Sequence, residues 1–275
     1  MITVLGASGF IGSYIVASLR SQQREVYAPL RNEDLANKDL GNVIYCIGLT
    51  ADFRTRPFDT VEAHIGKLKW LLQHGTFTSL TYLSSTRLYL KSKSSNEKLN
   101  ENDDLVFNAN DPYDLFGASK ITAELLLLNS GLPGLKVVRL SNVFGNDFYS
   151  ENFITSIVKD ALMKGKVELQ TTRDSSKDYI SVNDVTRAII ALAGSEASGV
   201  YNLSYGSNIT NEAITAELAR ITGTQISYLP DAKKVVFQEI DNTKLYNELK
   251  FKPTISVLEA LPDIVKSFAE TISKS

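Results

Sequence analysis

Residues 2–12 read Ile2-Thr3-Val4-Leu5-Gly6-Ala7-Ser8-Gly9-Phe10-Ile11-Gly12. The first four residues are apolar or β-branched, which favours a buried strand over residues 2–5. Apolar side chains then recur near helical spacing over residues 10–22 and predict a helix there. A strand that passes through a glycine-rich turn directly into a helix is typical of an α/β fold.

Three glycines at three-residue intervals, Gly6, Gly9 and Gly12, form this turn. Glycine permits a tight turn and a close approach of the backbone to a pyrophosphate, and the helix that follows offers free N–H groups and a positive dipole end. The spacing is G-x-x-G-x-x-G rather than the commoner G-x-G-x-x-G, and a structural turn that binds nothing is the alternative. The residues expected to hold the phosphates of a dinucleotide are Gly6, Ser8, Gly9, Phe10, Ile11 and Gly12.

Strands and helices continue to alternate over the first 145 residues. Strands are predicted at 25–30, 43–47, 80–84 and 136–140, and helices at 61–73 and 118–129. This alternation predicts a Rossmann-type, doubly wound parallel sheet with helices on both faces. Gly48 follows the third strand at the edge where such sheets bind ligands, so we expect it to contact the cofactor.

The alternation stops after residue 145. We predict that residues 1–145 form the dinucleotide-binding domain and that residues 178–203 return to it. Residues 146–177 and 204–275 would then form a smaller carboxy-terminal substrate-binding region over the strand ends.

The composition excludes several classes of protein. The 275 residues carry a net charge of −2, which argues against a nucleic-acid binder held by bulk positive charge. A single cysteine excludes an internal disulfide, and with only two histidines no metal site is expected. No apolar run reaches membrane length and the first residues lack the basic segment of a signal peptide. We therefore expect no membrane partner and a cytoplasmic location.

The end of the second predicted strand bears on the choice of cofactor. An acidic residue there would bind the ribose hydroxyls of NAD, but this sequence has Leu30 followed by Arg31. A guanidinium group suits the additional phosphate of NADP. We expect NADP to be preferred, with NAD as the alternative if Glu33 or Asp34 contacts the ribose.

Later segments carry a family resemblance. They occupy residues 83–89 (LSSTRLY), 111–120 (DPYDLFGASK), 137–145 (VVRLSNVFG), 177–185 (KDYISVNDV) and 199–203 (GVYNL). With the glycine turn, these segments resemble the extended short-chain dehydrogenase/reductase family, the nucleotide-sugar epimerases, dehydratases and reductases. The resemblance covers nearly the whole chain.

This resemblance implies a nicotinamide cofactor and a nucleoside-diphosphate sugar as substrate. Ser85 aligns with the family's catalytic hydroxyl, and Lys120 with the lysine that holds the nicotinamide ribose and lowers the pKa of a neighbouring hydroxyl. The residues expected at the substrate are Thr86, Asn142, Arg173 and Lys177. The helices at 61–73 and 112–129 resemble those that pair in family dimers, so a homodimer is also expected.

One departure affects the chemistry. The family's catalytic Tyr lies four residues before the lysine, and here that position is Phe116, which has no proton to transfer. Three interpretations stay open. The Tyr was replaced by engineering, or the natural protein uses Tyr113, Ser85 or a substrate hydroxyl, or the protein binds its ligands without turning them over.

The family's dehydratases have an Asp-Glu pair after the catalytic Thr, whereas Thr86 and Arg87 follow Ser85 here. This difference disfavours a dehydratase. The predicted function is therefore that of an NADPH-dependent keto-sugar reductase or a 4-epimerase acting on a nucleoside-diphosphate sugar. The alternative is a catalytically impaired protein that binds NADP(H) and a sugar nucleotide as a sensor.

Overall fold

The computed structural model describes residues 1–50, 53–93 and 97–274. The strands are β1 (Ile2–Leu5), β2 (Val26–Tyr27), β3 (Asn42–Tyr45), β4 (Ser79–Ser85), β5 (Leu135–Leu140), β6 (Asn142–Phe144), β7 (Lys166–Thr171), β8 (Ser176–Ser181), β9 (Gly199–Leu203), β10 (Asn208–Thr210) and β11 (Gln225–Lys233). The helices are α1 (Phe10–Ser21), α2 (Pro57–Val61), α3 (Lys67–His74), α4 (Asp114–Leu128), α5 (Phe153–Lys164), α6 (Val182–Ala193), α7 (Asn211–Thr222), α8 (Thr243–Leu249) and α9 (Val257–Ile272). A π-helical turn, Glu62–Gly66, joins α2 to α3, and a 3-10 turn, Thr86–Tyr89, follows β4.

The central sheet has the strand order β2-β1-β3-β4-β5-β9, and all neighbouring strands run parallel. The predicted α/β class with a parallel sheet is therefore confirmed. The chain places β2 on one side of β1 and β3 on the other, so the strand order reverses at β1. The loops that leave β1 and β3 diverge at such a reversal and open a crevice at the carboxyl edge of the sheet.

Apolar side chains cover both faces of this sheet. Alternate residues of each strand point to opposite faces, so Val4 and Leu5 of β1 belong to different hydrophobic clusters. Helices α1 and α6 pack on the Val4 face, whereas α3 and α4 pack on the Leu5 face. Burial on both faces fixes the register of the strands and therefore the positions of the loops at their carboxyl ends.

The structure corrects the bounds of three predicted elements. The second strand was expected over 25–30, but only Val26–Tyr27 pairs with β1, because β2 is an edge strand and Pro29 has no N–H group to donate. The predicted helix 61–73 begins earlier, at Pro57, and contains the π-helical turn. Helix α4 begins at Asp114, four residues before the expected start, and the Asp114 carboxylate in its first turn interacts favourably with the positive end of the helix dipole.

The carboxy-terminal part adds a second sheet, β10-β8-β6, and a parallel pair of strands, β11 and β7. Helices α5, α7 and α9 enclose a separate hydrophobic core there. Within residues 178–203, α6 packs against α1 and β9 joins the central sheet, while β8 pairs with β6 and β10. No helix of the described residues has the length and apolar character needed to cross a bilayer.

A buried ion pair connects α4 to the central sheet. Arg139 of β5 donates to Glu124 of α4 at 2.7 Å, and the two side chains are 5% and 1% exposed. A second guanidinium nitrogen donates to the Tyr89 hydroxyl at 2.7 Å, and Tyr89 donates to the side chain of Asn202 on β9 at 2.9 Å. Ser84 of β4 completes the network by donating to Glu124. These bonds satisfy both buried charges and hold one helix and three strands in a single arrangement.

Removal of one partner from this pair leaves the other charge buried and unpaired. We expect Arg139→Met to lower the free energy of unfolding by about 3–5 kcal/mol, as measured by urea denaturation. Lys164→Met is the matched control, because it also removes the cation of a 2.7 Å ion pair, but at a lysine that is 61% exposed. Lys164→Met should lower the free energy of unfolding by less than about 1 kcal/mol. Equal decreases in the two variants would contradict the structural role of the network.

Candidate active site

The glycine turn lies at the carboxyl end of β1, beside the loop that leaves β3. Gly6 has a φ of +81°, and a Cβ atom built there would lie 2.9 Å from the Cys46 carbonyl carbon. A Cβ atom on Gly12 would lie 2.3 Å from the Gly6 carbonyl oxygen. The Gly9 N–H donates to the same oxygen at 3.0 Å and closes the turn. Gly6 and Gly12 therefore leave no room for a side chain, and backbone atoms line this part of the crevice.

Helix α1 begins in this turn with Gly9 as its N-cap. The first helical hydrogen bond runs from the Ser13 N–H to the Gly9 carbonyl at 2.9 Å, so the N–H groups of the first turn have no helical acceptor. Ser8 is exposed at the rim of the turn, and Phe10 and Ile11 are half-buried. A positive helix end, free donors and absent Cβ atoms together fit the pyrophosphate of a dinucleotide.

In the segment that follows β2, one positively charged side chain is available to bind a ligand at the other end of the crevice. Leu30 is 81% exposed, and Arg31 beside it is also exposed. Glu33 accepts from Lys38 at 2.7 Å and from the Tyr27 hydroxyl, and these bonds lower the pKa of Glu33 to about 2. The Glu33 carboxylate is therefore occupied by Lys38, whereas the exposed Asp34 carboxylate accepts from the Ala36 N–H at 2.9 Å. Arg31 forms no ion pair within the described residues.

Lys120 lies beneath the carboxyl edge of the sheet. Its side chain is buried and its ammonium group donates to the Leu83 carbonyl at 2.8 Å. The loop after β3 lies close to this group, since a Cβ atom built on Gly48 would be 3.5 Å from the ammonium nitrogen. Burial lowers the pKa of Lys120 to about 7. Near neutral pH this group therefore has both protonation states available for acid–base chemistry.

A short hydrogen-bond chain supports the start of α4. His64, fully buried on the π-helical turn, accepts from the Leu49 N–H at 3.4 Å through Nε2, while its Nδ1 is 2.8 Å from the Ser119 hydroxyl. Ser119 in turn donates to the Phe116 carbonyl at 2.9 Å. Burial lowers the pKa of His64 to about 3, so the ring is neutral and Nδ1–H is the donor. This series of hydrogen bonds connects the loop after β3 to the helix that carries Lys120.

A cavity of about 430 Å³ opens at the carboxyl ends of β4 and β5. Thr86 and Asn142 line it, together with Phe237. Ser85 precedes Thr86, is half-buried, and accepts from the Arg87 N–H at 3.2 Å. Thr86 and Asn142 therefore line one cavity, and Ser85 lies directly before Thr86 at the end of β4.

The two predicted substrate cations differ in their placement. Lys177 is half-buried, and its ammonium group lies 5.6 Å from the centre of the Phe237 ring at the cavity wall. Arg173 is 64% exposed, lies 3.6 Å from the Glu212 carboxylate, and is absent from the described residues that line the cavity. Lys177 therefore lies beside Phe237, which lines the cavity, whereas Arg173 lies at the surface near the Glu212 carboxylate in the first turn of α7.

Comparison with known proteins identifies the family of this chain. The model of the NAD dependent epimerase/dehydratase family matches residues 42–204. The chain belongs to the NAD-dependent epimerase/dehydratase family. The predicted resemblance to extended short-chain dehydrogenase/reductase proteins is thereby confirmed. The match begins after residue 12, so the assignment of the glycine turn rests on its own geometry.

Similar proteins within this family act on several nucleotide sugars. The chain is 24% identical to a dTDP-glucose 4,6-dehydratase of Actinoplanes sp. over 310 residues, which cover 96% of each chain. A UDP-glucose 4-epimerase of Thermotoga maritima, solved with UDP-glucose, has a TM-score of 0.79 at 22% identity and covers 98% of this chain and 99% of its own. The protein RMD of Pseudomonas aeruginosa, solved with NADPH, has a TM-score of 0.79 at 21% identity with the same coverage.

The residue at the place of the catalytic tyrosine of the epimerase/dehydratase family is buried in an aromatic cluster. Phe116 is 2% exposed, and its ring centre lies 5.5 Å from that of Phe53 and 5.4 Å from that of His64. Tyr113 precedes α4, is 52% exposed, and is covered by the Arg54 guanidinium 5.0 Å from its ring centre. The ring at the family's catalytic position therefore lies inside the site, and Tyr113 lies at its margin.

Arg87 is a site residue that the sequence analysis did not select. Its guanidinium lies 5.3 Å from the centre of the Phe116 ring and 5.1 Å from that of Phe53. It lines a second cavity of about 170 Å³, which Tyr113 and Phe116 also line. Its position two residues after Ser85 was the available signal, but that position alone does not reveal the contact with Phe116.

The lowered pKa of Lys120 predicts a specific pH dependence of stability. An exposed lysine in the unfolded chain titrates near about 10.4, whereas Lys120 in the folded protein titrates at about 7. Between these values the unfolded state binds more protons, so stability rises with pH. We expect the wild-type protein to gain unfolding free energy relative to Lys120→Met as the pH rises from about 7 to about 10, measured by urea denaturation without cofactor. A difference between the two proteins that stays constant over this range would contradict the burial of the ammonium group.

Proposed function

We propose that the protein is an NADPH-dependent oxidoreductase that reduces a keto-sugar, or epimerises C4 of a sugar, while the sugar is attached to a nucleoside diphosphate. One observation carries this proposal. The glycine turn, Lys120 and the cavity lined by Thr86 and Asn142 all lie at the carboxyl edge of one parallel sheet. Such an edge binds a dinucleotide and a second ligand side by side.

The cofactor proposal extends the family assignment. The family is NAD-dependent, and among similar structures some contain NAD and the RMD structure contains NADPH. Gly6, Gly12 and the first turn of α1 would hold the pyrophosphate, and Arg31 would hold the adenosine phosphate of NADP. When bound, the nicotinamide supplies or accepts the hydride.

The substrate would occupy the cavity beside Thr86. Similar structures contain UDP-glucose, which supports a nucleoside diphosphate as the anchoring group. Lys177, beside the lining residue Phe237, would bind the diphosphate, and Asn142 would lie beside the nucleotide sugar. The Ser85 hydroxyl would donate to the sugar oxygen that alternates between alcohol and carbonyl.

Phe116 has no hydroxyl at the position of the family's catalytic tyrosine. The proton that moves to or from the sugar oxygen during hydride transfer is therefore carried by another group in this chain. Ser85 can donate directly to the sugar oxygen, and the Lys120 ammonium, with a pKa of about 7, provides a positive charge that favours an alkoxide nearby. The same substitution supports the second candidate function, a sensor that binds NADP(H) and a sugar nucleotide without turnover.

The homodimer and the cytoplasmic location stay predictions. On the helices expected to pair, Trp70 of α3 and Leu125 and Leu128 of α4 are large apolar side chains that are 39–55% exposed.

The first test concerns the cofactor. NADPH should bind more tightly than NADH, and Arg31→Ala should reduce this difference, because one guanidinium–phosphate contact contributes about 1.5–3 kcal/mol, or on the order of ten- to a hundredfold in affinity. Fluorescence titration of both nucleotides measures the effect. Arg24→Ala is the control, because Arg24 is exposed at the amino end of β2, opposite the crevice. Equal affinities for the two nucleotides in the wild-type protein would contradict the NADP assignment.

The second test concerns turnover. Phe116→Tyr places a phenol one helical turn from Lys120 and in contact with Arg87, two cations that favour its ionised form. General acid–base catalysis is worth about a hundred- to ten-thousandfold, so we expect turnover of a 4-keto nucleotide sugar to rise by at least about tenfold, with little change in KM. Stoichiometric oxidation of NADPH identifies a reductase, and interconversion of sugar epimers without net oxidation identifies an epimerase.

Three other outcomes of this test are informative. If Phe116→Tyr leaves the rate unchanged while Tyr113→Phe abolishes it, Tyr113 is the acid–base group. If the wild-type protein binds NADPH and sugar nucleotides but neither it nor Phe116→Tyr turns them over, the sensor function is supported. If no sugar nucleotide binds, both functions are wrong.

A further inference from the structure

The guanidinium of Arg87 lies at the end of the site where the sugar would react. Arg87 follows Ser85 by two residues on the 3-10 turn after β4, and its guanidinium lies over the rings of Phe53 and Phe116. Ser85 and Phe116 occupy the two positions where the family has its catalytic hydroxyls. Arg87 is therefore adjacent to both.

The Arg87 guanidinium has no counter-charge within the part of the chain that the structure describes. Its charged neighbours are Arg54 and Lys177, and no carboxylate pairs with it. Two carboxylates, those of Asp111 and Asp114, line the same small cavity, but each binds the Lys91 ammonium group at 2.7 Å. Burial and the nearby Arg54 lower the pKa of Arg87, which shows that the folded chain holds this charge at a cost.

The guanidinium lies against two aromatic rings, with its central carbon 5.1 Å from the centre of the Phe53 ring and 5.3 Å from that of Phe116. A guanidinium packed on aromatic rings keeps its edge N–H donors for a ligand. No acceptor for these side-chain donors lies among the described residues. A planar, oriented fork of N–H donors matches the two oxygens of a carboxylate and forms paired, charge-assisted hydrogen bonds with it.

We propose that Arg87 binds a carboxylate carried by the sugar itself, so that the substrate is a nucleoside-diphosphate uronic acid rather than a neutral hexose. This inference rests on the function proposed above, because it assumes a nucleotide sugar in the site. The diphosphate has a separate cation in Lys177, beside Phe237 at the wall of the larger cavity. Arg87 lines the smaller cavity next to Phe116, so the group that it meets belongs to the sugar end of the ligand. A neutral hexose would leave the half-buried Arg87 charge without a counter-charge among the described residues, which is unfavourable.

Binding of paired sugar nucleotides tests this proposal. The ligands are UDP-glucose and UDP-glucuronate, and dTDP-glucose and dTDP-glucuronate, titrated calorimetrically into the full-length protein saturated with NADPH. Within at least one pair we expect the glucuronate to bind about ten- to a hundredfold more tightly, the range for one guanidinium–carboxylate contact. Arg87→Gln should abolish this preference and leave the affinity for the glucose nucleotide within about threefold.

Two further variants separate a specific contact from a general effect. Arg87→Lys keeps the charge but loses the fork, so it should retain part of the preference for glucuronate. It also provides a second measurement if Arg87→Gln does not fold, which a thermal melt would reveal. Arg220→Gln is the control, because Arg220 is 68% exposed and pairs with Glu217 on α7. It should leave the preference unchanged.

Several results would overturn the inference while the proposed function stands. One is a wild-type protein that binds glucose and glucuronate nucleotides equally or prefers glucose. Another is an Arg87→Gln variant that keeps the wild-type preference. A third is an equal loss of affinity for both sugars in that variant, which would assign Arg87 to the diphosphate. If none of the four nucleotides binds, the proposed function fails and this inference fails with it.

Discussion

The buried pair between Arg139 and Glu124 is the interaction on which the site depends. Helix α4 carries Lys120 and Phe116, and β4 carries Ser85, so the geometry of the candidate site requires a fixed distance between this helix and the sheet. Apolar packing alone tolerates small sliding and rotation of a helix, because it has little directional preference. The ion pair adds direction, since each hydrogen bond has a narrow range of lengths and angles.

The network also explains why several family segments contain polar residues that do not meet a ligand. Glu124 lies four residues after DPYDLFGASK, Arg139 belongs to VVRLSNVFG, Tyr89 ends LSSTRLY, and Asn202 belongs to GVYNL. In the fold these four side chains meet beneath the strand ends. The segments thus combine two tasks, because residues at the carboxyl edge face the ligands and residues just beneath that edge hold the edge in place.

The charges of Arg139 and Glu124 balance each other in the buried network, whereas the charged side chains of the site itself are mostly cations. Lys120, Arg87 and Lys177 are all partly or fully buried, and burial lowers the pKa of each. Phosphate-bearing ligands would compensate these charges, so binding of cofactor and substrate would relieve a cost that the folded chain otherwise carries. A surface with this bias attracts anions in general.

The sequence by itself determined the parts of the protein that depend on local chain geometry. The strand–turn–helix unit over residues 2–12 follows from side-chain periodicity and from the backbone freedom of Gly6 and Gly12, and both are local properties. The spacing of Ser85, Thr86 and Asn142 at strand ends also indicated one site, because the carboxyl ends of parallel strands share an edge of the sheet.

Only the tertiary structure decided which side chains meet across long stretches of chain. Arg87 and Phe116 are 29 positions apart in the sequence, and no local pattern indicates that one stacks on the other. Arg173 carries the charge expected of a substrate residue, yet Glu212 holds it at the surface. In each case a contact between side chains decided the result, and such contacts exist only after the sheet has brought the segments together.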